Sequence, residues 1–308
     1  MTIMITGSRG AIGRRLKTAL VKSGECVFGY DHGYDPDHVE YGDINDQHLL
    51  RDKLCDMKVE GIIHLAAVSR VQLSQSDEQR CFCVNVEGSR NVFNGAYQSQ
   101  LKPWVIYAST REVYGQQEHF PVKEDASLIP CNVYGQSKLK AEQIAAGYQR
   151  AGLSITVMRL SAVYGAIKHY QENKVVTALT RQALLGRDLE INGAHNIFDF
   201  IHVDDVIRAI GLAIERCRLQ KKGLPPINVC SGIGTSLEQL AQTILGMINS
   251  NSRIIRKNAD SSFASRFIGC PKLASDLMGW QPLISLEEGI QQFIEMLSSN
   301  HHLLKEAV

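Results

Sequence analysis

Thr2-Ile3-Met4-Ile5-Thr6-Gly7-Ser8-Arg9-Gly10-Ala11-Ile12-Gly13 is the stretch that decides the fold. Its first five residues form a short apolar run with the character of a strand, and the glycines after them mark a tight turn. From Arg14 to Lys22 the spacing of Leu16, Ala19 and Leu20 predicts a helix, stopped by Gly24. A strand, a small-residue turn and a helix in this order let a pyrophosphate come close to the backbone. The helix start then offers it free N–H groups and a positive dipole end. A glycine triplet alone would serve any tight turn. Here it follows the first strand, and Asp31 stands at the end of the next one, Cys26 to Tyr30, 18 residues after Gly13. An acid there accepts bonds from ribose hydroxyls and repels a 2′-phosphate, which favours NAD over NADP. Taken alone, Asp31 also suits a turn before Gly33. The candidate cofactor residues are Gly7, Arg9, Gly10, Ala11, Ile12, Gly13 and Asp31.

Outward from this turn, near-continuous apolar runs recur at Gly61 to Ala67, Trp104 to Ser109 and Ser154 to Leu160. Between the last two lies a helical pattern from about Gly135 to Arg150, with Leu139, Ala141, Ile144, Ala145 and Tyr148 on its inner face. Strands apolar on both faces and separated by helices imply a parallel sheet covered on both sides, the doubly wound α/β (Rossmann) class. After Gly165 the alternation loosens. A helix is expected over Val175 to Leu185, strands at Ile197 to Ile201 and Ile227 to Cys230, and helices at Ser236 to Ile248 and Leu286 to Leu297, around a loop-rich stretch 249–285. Residues 1–165 thus read as a dinucleotide-binding domain to which 197–232 returns, and 166–196 with 233–308 as a smaller C-terminal α/β substrate domain.

The 308 residues carry 33 Lys and Arg against 32 Asp and Glu, a net charge of +1, which speaks against a nucleic-acid-tracking surface. No apolar run is long enough to span a membrane. The N-terminus enters the glycine turn without a basic leader, so no signal peptide is expected. Eight cysteines are scattered without a Cys-x-x-Cys pair, as in a reducing cytoplasm rather than a disulfide frame or zinc site. His195, Asp199, His202, Asp204 and Asp205 read as alternate strand positions followed by acids at a helix start, not as metal ligands.

Tyr134 and Lys138 have a Tyr-x-x-x-Lys spacing that puts both side chains on one helix face, where an ammonium can stabilise a phenolate. Bringing a phenol from about 10 to near 7 requires ~4 kcal/mol. Lys138 and a positive nicotinamide ring together are expected to supply it. The same spacing recurs at Tyr164 and Lys168 and at Tyr170 and Lys174. Only Tyr134 opens a helix after the Trp104 strand.

These features together resemble the extended short-chain dehydrogenase/reductase family, in its nucleotide-sugar epimerase and dehydratase branch. The resemblance covers roughly residues 2–297. Asp43-Ile44 resembles the pair that holds the adenine, Leu65-Ala66-Ala67 the turn along ribose and diphosphate, and Asn85 to Gly88 the family's Asn-Val-x-Gly helix start. Thr110 stands where the family's Ser or Thr bonds the reacting sugar hydroxyl beside Tyr134. Family dehydratases read Thr-Asp-Glu in this segment; here Arg111 replaces the acid, and an arginine is a poor proton donor to departing water. Glu112 remains available for C5 chemistry or as a structural residue. On the substrate side the resemblance implies contacts from Asn173, Arg111 and Arg266. Phe198 stands where the family has a diphosphate-binding Arg, and Ala162 where an Asn touches the substrate.

The resemblance implies an NAD-dependent nucleotide-sugar epimerase acting at C4, with Tyr134, Thr110 and Lys138 at the reacting hydroxyl. It also implies a homodimer joined through the helices near Tyr134 and Asn85 to Gln98. Three alternatives stay open: elimination, decarboxylation or C5 chemistry through Glu112; a 4-keto-sugar reductase; and a dinucleotide-binding sensor without turnover. The sequence names neither nucleotide nor sugar.

Overall fold

The computed structural model describes residues 1–165, 174–220, 222–257 and 265–299. In chain order the first half runs β1 (Thr2–Thr6), α1 (Ala11–Lys22), β2 (Val27–Tyr30), α2 (Gln47–Asp56), β3 (Val59–His64), α3 (Val71–Ser76), α4 (Glu78–Phe82), α5 (Ser89–Gln98), β4 (Trp104–Thr110), α6 (Val133–Arg150) and β5 (Ile155–Leu160). The second half runs β6 (Ala162–Tyr164), α7 (Val175–Leu184), β7 (Leu189–Asn192), β8 (Ile197–His202), α8 (Val203–Gln220), β9 (Ile227–Val229), β10 (Gly234–Ser236), α9 (Leu237–Ile248), β11 (Ile254–Lys257), α10 (Lys272–Met278) and α11 (Leu286–Ser298).

Six parallel strands form the main sheet in the order β2-β1-β3-β4-β5-β9. One face is covered by α1, α8 and α10 through Leu16, Ile210 and Met278. The other is covered by α2, α5 and α6 through Leu54, Phe93 and Ala141. This is the expected doubly wound α/β architecture. From β1 the chain steps outward to β2, then crosses back to β3 on the far side of β1. The crevice at that reversal is where such sheets take ligands.

A second core, built from α7, α9 and α11, backs a three-stranded sheet β10-β8-β6 and a pair β11-β7. The segment 197–232 divides between the two parts. α8 and β9 join the main sheet, but β8 pairs with β6 and β10. An apolar run shows that a strand is buried, not which sheet receives it. The stretch expected to be loop-rich, 249–285, contains β11 and α10. β11 is mostly exposed and polar, and α10 is only seven residues long, so neither has a legible apolar period. β3 ends at His64, and Leu65 to Ala67 turn away over the crevice.

Asp199, in β8, joins three distant pieces of chain. Its carboxylate accepts from the Ser231 amide at 2.7 Å, the Ser231 hydroxyl at 2.8 Å, and the Gly232 and Gly269 amides at 3.0 Å each. The side chain is fully buried. Replacing it with alanine strands these donors away from water, so Asp199→Ala is expected to lower unfolding free energy by about 3–5 kcal/mol in urea titrations. Asp199→Asn, which keeps an acceptor, should lose clearly less. Equal loss in both variants would count against the carboxylate's role as a clamp.

Candidate active site

The cofactor end of the crevice is built from backbone. Gly7 has φ +73°, and a Cβ there would lie 2.7 Å from the Ala66 amide nitrogen. A Cβ on Gly13 would lie 2.2 Å from the Gly7 carbonyl oxygen. α1 begins at Gly10 with no side-chain cap and no acid in its first turn, so its first N–H groups face the crevice without a protein anion. This arrangement fits a pyrophosphate. Asp31 closes the turn from the side, accepting from the Arg9 amide at 2.9 Å and the Gly33 amide at 2.8 Å. These bonds are those of a turn former, one to each carboxylate oxygen. The Arg9 guanidinium bonds the Gly33 carbonyl and stacks 5.0 Å from the Tyr34 ring, which fixes it at the rim.

Other expected cofactor residues act from behind. The Asp43 carboxylate accepts from the Asn45 amide at 2.9 Å and side chain at 3.0 Å. Ile44 is buried, its tip lying where a Cβ on Gly88 would fall. Asn85 is wholly buried: it accepts from the Val68 amide at 2.8 Å and donates to the Val68 carbonyl at 3.1 Å and the Ser137 hydroxyl at 2.9 Å. Its side chain thus holds the Leu65-Ala66-Ala67 turn against α6 instead of lining the open crevice. His64 ties β3 to Thr6 at 2.7 Å and Ser89 at 2.9 Å, and burial, with the Lys138 charge behind it, pushes it down to about 3.

The chemical end gathers at the C-terminal tip of β4. Thr110 is buried there beside Tyr134, its hydroxyl accepting from the Glu112 amide at 3.2 Å. Asn132 caps α6 by accepting from the Gly135 amide at 2.8 Å, which places Tyr134 in the first turn. Burial raises the Tyr134 phenol above its ordinary value, and the Glu112 charge adds to this while the Thr110 hydroxyl opposes it. Lys138, 2% exposed, lies with its ammonium 4.2 Å from the Tyr107 ring centre. Lys138 thus rests on an aromatic face and does not by itself bring the phenol down; the lowering is expected of the lysine and a cationic nicotinamide ring together.

A family model described as the NAD dependent epimerase/dehydratase family matches residues 3–230. The chain belongs to that family. It is 28% identical over 313 residues to a UDP-glucose 4-epimerase of Lacticaseibacillus casei, covering 92% of each chain. It is 24% identical over 331 residues to UDP-glucuronate 4-epimerase 6 of Arabidopsis thaliana, covering 96% of this chain and 71% of the other. Among solved structures, a Thermotoga maritima UDP-glucose 4-epimerase with UDP-glucose superposes with TM-score 0.89 at 28% identity, over 98% of this chain and 100% of that one.

In this member of the NAD dependent epimerase/dehydratase family the segment after Thr110 is occupied by its own ion pair. Arg111 and Glu112 meet at 2.7 Å, and Asn132 donates to the other Glu112 oxygen at 2.8 Å. Arg111 also bonds the Ser265 hydroxyl at 3.2 Å and lies 5.2 Å from the Phe198 ring and 5.6 Å from that of Phe267. Phe198 is thus a seat for the Arg111 guanidinium. Arg266 is exposed with its guanidinium 4.7 Å from the Phe120 ring, and Asn173 lies outside the described residues.

Glu142 is the participant that motif reading passed over. One turn beyond Lys138 on α6, it accepts from the Ser109 hydroxyl at 2.5 Å and from Arg159 at 2.8 Å, all buried. Its signal was the extension of the Tyr134/Lys138 spacing by a further i, i+4 step. Burial pulls the Lys138 ammonium down to about 7, with Glu142 opposing the fall.

Lys138 therefore binds fewer protons folded than unfolded between about 7 and its ordinary 10.5, and its contribution to stability rises with pH across that window. Lys138→Met should be more stable than the natural protein near pH 6.5, by on the order of a few kcal/mol. The advantage should shrink steadily toward pH 10 in denaturant titrations. An advantage independent of pH would show that the lysine is not a buried, displaced base.

Proposed function

We propose that this protein is an NAD-dependent nucleotide-sugar 4-epimerase. The observation that carries this reading is Thr110, Tyr134 and Lys138 gathered at the tip of β4, with the uncapped start of α1 and the close Gly7–Ala66 approach on the cofactor side. When bound, NAD supplies a hydride acceptor and donor together with a cationic ring. With the cationic ring in place Tyr134 would lose its proton to solvent; as phenolate it takes the proton of the sugar's C4 hydroxyl and returns it after inversion, while Thr110 bonds the same oxygen and keeps it aligned. Lys138 holds positive charge beside the phenolate as it forms, which its buried, near-neutral poise permits.

Glu112 is bound to Arg111 and Asn132 on both oxygens, which counts against its use as the base of an elimination or a C5 exchange. The site residues on the cofactor side are Gly7, Gly10 to Gly13, Asp31 and the Leu65–Ala67 turn. We also infer a homodimer through the outer faces of α5 and α6, where the exposed Tyr97 ring lies tilted against Tyr148 with centroids 5.7 Å apart. Eight cysteines without a disulfide suit a reducing cytoplasm.

The test is to incubate the purified protein with UDP-, GDP-, CDP- and dTDP-hexoses and follow product mass and C4 configuration. Unchanged mass with inverted C4 is expected, and Tyr134→Phe should lose at least ~10³-fold in turnover while retaining NAD. Loss of water or carbon dioxide, or full turnover by Tyr134→Phe, would overturn the proposal.

A further inference from the structure

The Arg111–Glu112 pair bears on which sugar the site accepts. It follows directly on Thr110, whose hydroxyl accepts from the Glu112 amide at 3.2 Å, and Glu112 is bonded by Asn132, the cap of the helix that carries Tyr134, so the pair borders the place where the reacting C4 oxygen must lie. Both partners are held. Glu112 is bound by Arg111 at 2.7 Å and by Asn132 at 2.8 Å. Arg111 is only 13% exposed along its side chain, bonded to Ser265 and seated between Phe198 and Phe267. The pair is therefore neutral as a unit, and its cation is already committed.

In a pyranose, C6 is separated from C4 only by C5, so a charged C6 group sits beside the reacting hydroxyl. A uronate would bring a second carboxylate into this partly dry corner next to Glu112. Arg111 can then only share its one positive charge between two carboxylates, which leaves the corner with a net charge of −1. Like charges at short range in a low-dielectric site repel strongly. A hydroxymethyl or methyl group at this position imposes no such penalty, and the hydroxyl of the former can bond to the pair's remaining lone pairs and N–H groups.

We infer that the site takes nucleotide-hexoses with an uncharged C6 group and discriminates against uronates, with Glu112 as the residue that sets this choice. The inference rests on the nucleotide-sugar reading above, and relatives of the chain bear the names of both a glucose and a glucuronate enzyme. Selection here comes from a repulsive element built into the pocket, and not only from contacts with the favoured sugar.

The test reads binding rather than turnover. The NAD-loaded protein is titrated calorimetrically with UDP-glucose and with UDP-glucuronate, natural and as Glu112→Gln. The natural protein should bind the uronate at least about tenfold more weakly. Glu112→Gln keeps the size of the side chain and an acceptor for Asn132 but removes the charge and releases Arg111. It should bring the two affinities within about threefold, chiefly by tightening the uronate. Equal or tighter uronate binding by the natural protein overturns the inference. So does a ratio unchanged in Glu112→Gln, or failure of UDP-glucose to bind. An intact ratio without C4 inversion would remove the epimerase reading and leave the discrimination standing.

Discussion

At Gly7 two loops come so close that a single carbon atom would part them. The first turn leaves β1 at φ +73°, and the Leu65–Ala66 peptide crosses within 2.7 Å of where a side chain would begin. Everything at the crevice follows from this approach. The helix start at Gly10 can face the opening only because Gly7 and Gly13 let the backbone fold back on itself. The Leu65-Ala66-Ala67 turn can lie against it only because Asn85 anchors Val68 from behind. Neutral His64, bonded to Thr6 and Ser89, ties the two strands beneath it. The buried, hydrogen-bonded side chains of Asn85 and His64 thus help hold the cradle to one geometry.

The chemical end depends on a different device. Tyr134 and Lys138 sit where burial penalises charge on either. The counter-charge nearby, Glu142, is already held by Arg159 and Ser109. Arg159 continues to the Tyr114 hydroxyl at 2.9 Å, and Tyr114 to Asn228 at 2.7 Å, so the network runs from α6 across β5 to β9. A helix bearing a reactive phenol is thereby bolted to the sheet by charge and hydrogen bonding as well as by apolar packing. Rigid support of this kind is what lets two donors keep one oxygen in place through a reaction.

Much of this was legible in the sequence for physical reasons. Strands buried on both faces leave continuous apolar runs, which is why β1, β4 and β5 were found within a residue or so. The glycine turn was legible because close backbone approach admits few alternatives. α2 was not, since among its ten residues only Leu50 and Leu54 are buried and its remaining surface is polar. The split of 197–232 between two sheets depends on pairing partners far along the chain. The same limit applied at the site. Tyr134 and Lys138 follow from spacing and order and Thr110 from the family resemblance, but the seat of Arg111 between Phe198 and Phe267 joins residues some 90 and 150 positions apart. Phe198 looked like a lost phosphate contact, and only three-dimensional placement shows what it supports.

The clamp at Asp199 also carries a consequence for how the chain is made. Its carboxylate lies in β8, but its donors are at Ser231, Gly232 and Gly269. During synthesis from the N-terminus, β1 to β5 can pair as they emerge, since each neighbour in that sheet precedes or closely follows the other. Asp199 must wait until about seventy more residues have been added before its last partner arrives. The sheet that contains β8 is thus completed late, as is the face of the main sheet that α8 and α10 cover. A ribosome that stalls in that interval holds a nascent chain with a half-built sugar pocket and an unsatisfied acid at its centre. Quality control therefore has a distinct feature to detect: an exposed carboxylate in a strand whose sheet has not closed.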